Sequence, residues 1–243
     1  MTIVFLYALI NGFSLVAGAF IGIYFKLQQK VIAAVMAFGS GVLICALTFG
    51  LMEEAFGHGG FDSVITGFLI GGILYMAGDY AVHHFGGRKH RRHQHSPAKH
   101  DASGLMIVLG STLDGVPESI ALGIALFANQ TVGMIMIAAI VISNIPESIA
   151  SIGGLKREKF PTIAILAIWI SIGIVVALAT ILSFVFLHDL NAGTVGILES
   201  LAAGAILAML AGGMMPEAYE EGGYGISILT IVGFLVTFVL SRI

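Results

Sequence analysis

Eight apolar runs divide this chain, near residues 2–25, 31–56, 61–84, 103–128, 132–154, 160–187, 194–219 and 224–242. Each is long enough, as a helix, to cross about 30 Å of hydrocarbon. A lipid interior holds no water for backbone N–H and C=O groups, so a segment there must close its own hydrogen bonds as a helix. The expected fold is therefore all-α: eight transmembrane helices in one domain over residues 1–243. Composition agrees, with 58% hydrophobic residues, only 10% charged ones and a mean hydropathy of +1.00. Soluble domains carry about 25% charged residues, so the composition argues against a soluble enzyme or a nucleic-acid-binding module. The first run lacks a positive leader region and reads as a retained span rather than a cleaved signal. The lone cysteine, Cys45, excludes an internal disulfide and a thiolate metal cluster.

Orientation follows from the basic residues. Lys26 and Lys30 follow the first run; Arg88, Lys89, Arg91, Arg92 and Lys99 follow the third; Lys156, Arg157 and Lys159 follow the fifth. Those are ten of the eleven lysines and arginines, and eight spans put all ten on one side. The positive-inside rule makes that side cytoplasmic and both termini extracytoplasmic, with the plasma or inner membrane the expected location. Glycines at small-xxx-small spacing, Gly18 with Gly22 and Gly67 with Gly71, mark faces for close helix packing.

Two internal repeats stand out. Gly41 to Gly60 aligns without gaps on Gly204 to Gly223, pairing Glu54 with Glu217 and Phe56 with Tyr219. The first copy lies on the second span and the second on the seventh, which run in opposite directions. Opposed repeats are the mark of inverted-topology transporters. The second repeat is tighter: Asp114-Gly-Val-Pro117-Glu118-Ser-Ile-Ala and Ser143-Asn144-Ile-Pro146-Glu147-Ser-Ile-Ala. Each places a proline and a carboxylate mid-span.

A carboxylate at that depth costs several kcal/mol unless a cation meets it. Asp114 precedes Glu118 by four residues and shares its helix face; Ser143 and Asn144 hold the matching places before Glu147. Pro117 and Pro146 cannot donate, which frees the carbonyls of Leu113 and Ile142. Asp114, Glu118, Ser143, Asn144 and Glu147 are thus the expected metal ligands, an all-oxygen set suited to divalent cations. A proton relay through the same acids is the competing reading.

The paired Pro-Glu elements resemble those of the ZIP (Zrt/Irt-like) metal-ion transporters, whose fourth span reads roughly His-Asn-x-Pro-Glu-Gly and whose fifth carries a similar His-x-x-Pro-Glu element. The resemblance covers nearly the whole chain. It implies eight spans, outside termini and a histidine-rich cytoplasmic loop, with the family's metal-binding glutamates falling on Glu118 and Glu147 and its flanking ligand positions on Asp114, Gly115, Ser143 and Asn144. The family's span-four histidine is Asp114 here, its span-five histidine is Ser143, and Ser119 and Ser148 follow the glutamates. No acidic residue lies in 160–187. A single oxygen-rich site is expected in place of a two-metal one. The resemblance implies zinc as cargo; the loss of imidazole brings in manganese, iron(II) and cadmium.

Glu53, Glu54 and His58, at the outer end of the second span, form an expected entrance. Glu217, Glu220 and Glu221, with Asp79 and His83 at helical i,i+4 spacing, form an expected exit. The loop at 86–102, with His90, His93, His95 and His100, suits either weak metal binding or contact with anionic lipid. The expected function is transport of a divalent metal cation towards the cytoplasm, without catalysis and without a cofactor beyond the cation. Expected partners are the cation, the lipid bilayer and, compatible with both, a second copy in a homodimer. A proton-coupled carrier of another solute and a metal-binding membrane sensor remain alternatives.

Overall fold

The computed structural model describes residues 1–85, 104–187 and 190–242. These form an all-helical bundle: α1 (Thr2–Tyr24), α2 (Gln29–Ala46), α3 (Met52–Phe85), α4 (Gly104–Ala128), α5 (Gln130–Arg157), α6 (Thr162–Phe186), α7 (Ala192–Met209), α8 (Met215–Gly222) and α9 (Ile226–Leu240). Among the described residues, five segments are long and apolar enough to cross a membrane: Thr2–Tyr24, Gln29–Val82, Gln130–Arg157, Thr162–Phe186 and Ala192–Gly222. Ile226–Leu240 is apolar but shorter. The outward surface is studded with large apolar side chains, Phe13 70%, Phe61 70% and Ile163 79% exposed among them, as a bundle in lipid requires.

Single π turns interrupt two of the apolar runs. Leu47–Leu51 joins α2 to α3, and Leu210–Met214 joins α7 to α8. Their positions coincide in the Gly41–Gly60 and Gly204–Gly223 repeat, pairing Leu47 with Leu210 and Leu51 with Met214. The aligned last residues, Gly60 (φ 63, ψ −166) and Gly223 (φ 72, ψ −161), both take a positive-φ, extended conformation open essentially to glycine alone. Non-helical backbone at Gly60 divides Met52–Phe85 into two helices, and the break lies between the apolar runs expected at 31–56 and 61–84.

The two copies run antiparallel. A Cβ on Gly196, near the start of α7, would meet the backbone of Ala55 and Gly59 in α3. One on Gly222, at the end of α8, would meet Ala33, near the start of α2. Side-by-side packing repeats as well. Gly204 abuts the Phe68 carbonyl and Gly71 that of Leu201, binding α3 to α7; Gly41 abuts the Thr230 carbonyl and Gly233 that of Phe38, binding α2 to α9. In a bilayer, where burying apolar surface against lipid gains little, such backbone approaches supply much of the helix–helix attraction.

Packing sorts the helices into two sets. One holds α1, α4, α5 and α6, the other α2, α3, α7 and α9; α2 on α5 and α4 on α7 join them. Within the first set, Gly12 of α1 and Gly173 of α6 each face the other's carbonyl. Gly18 and Gly22 seat α1 on Ile145 and Ile149 of α5, and Gly67 and Gly71 seat α3 on α7, the faces expected from their spacing. Lys156 Nζ donates to the Gly22 and Ile23 carbonyls at the end of α1, 3.2 and 2.6 Å away, where free carbonyls and the helix dipole favour a cation. Asn129 and Asn191 cap α5 and α7, accepting from Thr131 N and Thr194 N at 2.9 Å.

Candidate metal centre

Helices α4 and α5 pack against each other with their Pro-Glu elements near the helix middles, Pro117 and Pro146 lying inside the helices. Glu118 is 1% exposed, Ser143 and Asn144 are buried, and Asp114 and Glu147 are half-buried. Ser143 Oγ lies 3.4 Å from Glu118 Oε1 and 3.0 Å from the Ile140 carbonyl. Its single proton serves only one of these acceptors at a time. Asp114, Glu118 and Glu217 all stand close enough to Glu147 to repel a charge on it. The five expected ligands therefore lie in one region.

Their remaining hydrogen bonds define what is left open. Asn144 Nδ2 donates to Asn11 Oδ1 and Ser14 Oγ on α1, both at 3.0 Å. Asn11 Nδ2 donates in turn to Ser119 Oγ on α4 at 2.9 Å and Thr180 Oγ1 on α6 at 3.3 Å. This buried network fixes the amide of Asn144 and leaves its oxygen free of partners. Among the described residues, five buried side-chain polar atoms lack a hydrogen-bond partner: Glu118 Oε2, Glu147 Oε1, Asn144 Oδ1, Glu199 Oε1 and Trp169 Nε1. The first three are acceptors of the expected ligand set. An unsatisfied buried acceptor costs about 1–3 kcal/mol, more when charged. All three stand on the α4–α5 helix pair.

The set is not drawn tight. No group of three or more His, Cys, Asp and Glu side chains is arranged to hold a metal ion among the described residues. The hydroxyl of Tyr75, on α3, donates to Asp114 Oδ1 at 2.5 Å. Asp114 is thereby linked to the opposite set of helices while remaining within electrostatic reach of Glu118 and Glu147.

The expected entrance and exit separate differently. Glu54 Oε1 accepts from Asn129 Nδ2 at 3.3 Å. It borders a cleft of about 380 Å³ lined also by Glu53, Cys45, Thr131 and Arg242. The guanidinium of Arg242 sits 5.8 and 5.5 Å from the rings of Phe49 and Phe238. His58 does not join that cleft; its Nδ1 lies 3.0 Å from Glu199 Oε2 on α7. Glu217 is half-buried and faces the Glu147 region, while Glu220 and Glu221 are exposed. Asp79 is half-buried; the side chain of His83, and His90, His93, His95, His100 and His188, lie outside the described residues.

Tyr75, Asn11, Ser14 and Glu199 had not been singled out in the sequence. Glu199 was findable, since a lone carboxylate in an apolar run is the signal that marked Glu118. The others need their distant partners to acquire meaning.

No protein-family model matches the chain, and no curated protein matches it either.

Proposed function

We propose that the chain is an eight-span membrane transporter that carries a divalent metal cation through a site between α4 and α5. The observation that carries the reading is the trio of unpartnered buried oxygens, Glu118 Oε2, Glu147 Oε1 and Asn144 Oδ1. The cation is the substrate. Its entry compensates the carboxylates and draws Asp114 away from Tyr75, closing a shell that is loose without it. Such a site binds and releases, as transport needs.

Glu217, which interacts with Glu147, lines the way towards the end of the bundle that holds Lys26, Lys30 and Lys156. The positive-inside rule makes that end cytoplasmic and both termini outside; the ZIP-like Pro-Glu elements support inward flow. The antiparallel repeats, with their paired π turns, support alternating access of one helix set against the other. The ZIP-like Pro-Glu elements support zinc as cargo, with the oxygen-only set widening the range to manganese, iron(II) and cadmium.

One observation favours a second reading. The Tyr75–Asp114 hydrogen bond, at 2.5 Å, suits a proton relay serving another solute. Uptake into liposomes separates the two. Metal flux with Zn²⁺, Mn²⁺, Fe²⁺, Co²⁺, Ni²⁺ or Cd²⁺, lost in Glu147→Ala, supports metal transport. Proton flux that needs no metal selects the relay, and metal binding without flux selects a sensor.

A further inference from the structure

Glu199 takes no part in the site between α4 and α5. Its side chain is 0% exposed, its Oε2 meets His58 Nδ1 at 3.0 Å, and its Oε1 has no hydrogen-bond partner. Packing does not demand an acid there. Continued backward from Gly41 and Gly204, the internal repeat pairs Met36 with Glu199, both buried. Methionine fills the place in one half, so an apolar side chain satisfies the fold. The counterpart of His58 is Glu221, which is exposed. Among the described residues the imidazole–carboxylate pair thus breaks the symmetry and stands at one end only.

That end is accessible and acidic. The His58 side chain is 32% exposed. Glu54 lies one turn before it on the same helix face and interacts electrostatically with Glu199. Glu53 and Asp62, both exposed, flank it in the chain. Such a mouth concentrates cations from solution.

We propose that His58 and Glu199 form a second cation site, taking a borderline transition-metal ion such as zinc, cobalt or nickel in preference to calcium or magnesium. One imidazole nitrogen and a carboxylate are the donors such ions favour, whereas hard cations take oxygen alone. His58 contributes a ring nitrogen, Glu199 Oε1 gains its missing partner, and water completes the shell. With two protein donors in contact the site exchanges readily, which fits collection at an entrance.

The test is equilibrium dialysis of the purified full-length chain against Zn²⁺, with bound metal counted by mass spectrometry. His58→Ala and Glu199→Gln each lose about one equivalent relative to wild type, while the Glu118→Gln/Glu147→Gln double variant keeps it. Excess Mg²⁺ does not displace it. Histidines 90 to 100 are common to every variant and cancel. A folded His58→Ala that binds as much zinc as wild type overturns the proposal, as does full competition by Mg²⁺. His58 is partly exposed, so its variant carries the test should Glu199→Gln fail to fold. The double variant reports on the central site alone, so the two readings fail separately.

Discussion

Replacing Asn11 with alanine tests whether the buried amide network holds the centre in place. The substitution removes three interhelical hydrogen bonds, to Ser119 at 2.9 Å, Thr180 at 3.3 Å and Asn144 at 3.0 Å. Interhelical hydrogen bonds in bilayers average about 0.6 kcal/mol and reach about 1.7. The expected loss is therefore about 2 kcal/mol, with about 5 as the ceiling. The functional consequence is separable. Asn144 Nδ2 keeps only Ser14 as partner, so its amide is free to rotate and its oxygen loses its aim. Misplacing a supporting group costs about 10–100-fold in metal affinity; about tenfold is expected, because both glutamates remain. Detergent-titration unfolding in mixed micelles reads the first quantity and equilibrium Mn²⁺ or Zn²⁺ binding the second. A stability change under about 0.5 kcal/mol, the range of bland surface substitutions, with unchanged affinity, refutes the reasoning.

Further predictions address the packing and the tyrosine. Gly71→Ala pushes a methyl group into the Leu201 backbone and Gly233→Ala one into that of Phe38. Each is expected to cost about 1–3 kcal/mol, whereas Gly57→Ala, with open space around it, stays within about 0.5 kcal/mol in the same unfolding assay. Equal costs at Gly71 and Gly233 are the energetic counterpart of the repeat. Tyr75→Phe removes the hydroxyl that competes for Asp114. Cation binding is expected to tighten about 2- to 10-fold, the worth of one hydrogen bond, and weaker binding in titration calorimetry contradicts it.

Much of this architecture was legible in the chain. Apolar runs mark helices because a lipid interior leaves the backbone no alternative, and Thr2–Tyr24 or Thr162–Phe186 begin and end within a residue or two of the expected limits. Glycine spacing named the contact faces at Gly18, Gly22, Gly67 and Gly71 because backbone approach depends on local sequence alone. The π turns were not legible. An i→i+5 turn is a small shift in hydrogen bonding with no residue signature, although the repeat said that whatever happened at Leu47 would recur at Leu210. Long-range pairings were equally hidden. Asn11 meets Ser119 and Thr180, 108 and 169 residues away, and His58 meets Glu199, 141 residues on. Helical periodicity says which face a side chain occupies, and only tertiary packing says what that face meets. Asp114 shows the consequence: its spacing from Glu118 is as expected, yet Tyr75 on another helix claims one of its oxygens.

The most direct measurement is the anomalous diffraction signal of cadmium in crystals of the purified protein. The account predicts a peak between Glu118 and Glu147, with Asn144 Oδ1 in its shell and oxygen distances of about 2.0–2.6 Å. A fully loaded crystal with cadmium only at His58 and Glu199, or among the histidines of 86–102, and none between the two glutamates, contradicts it.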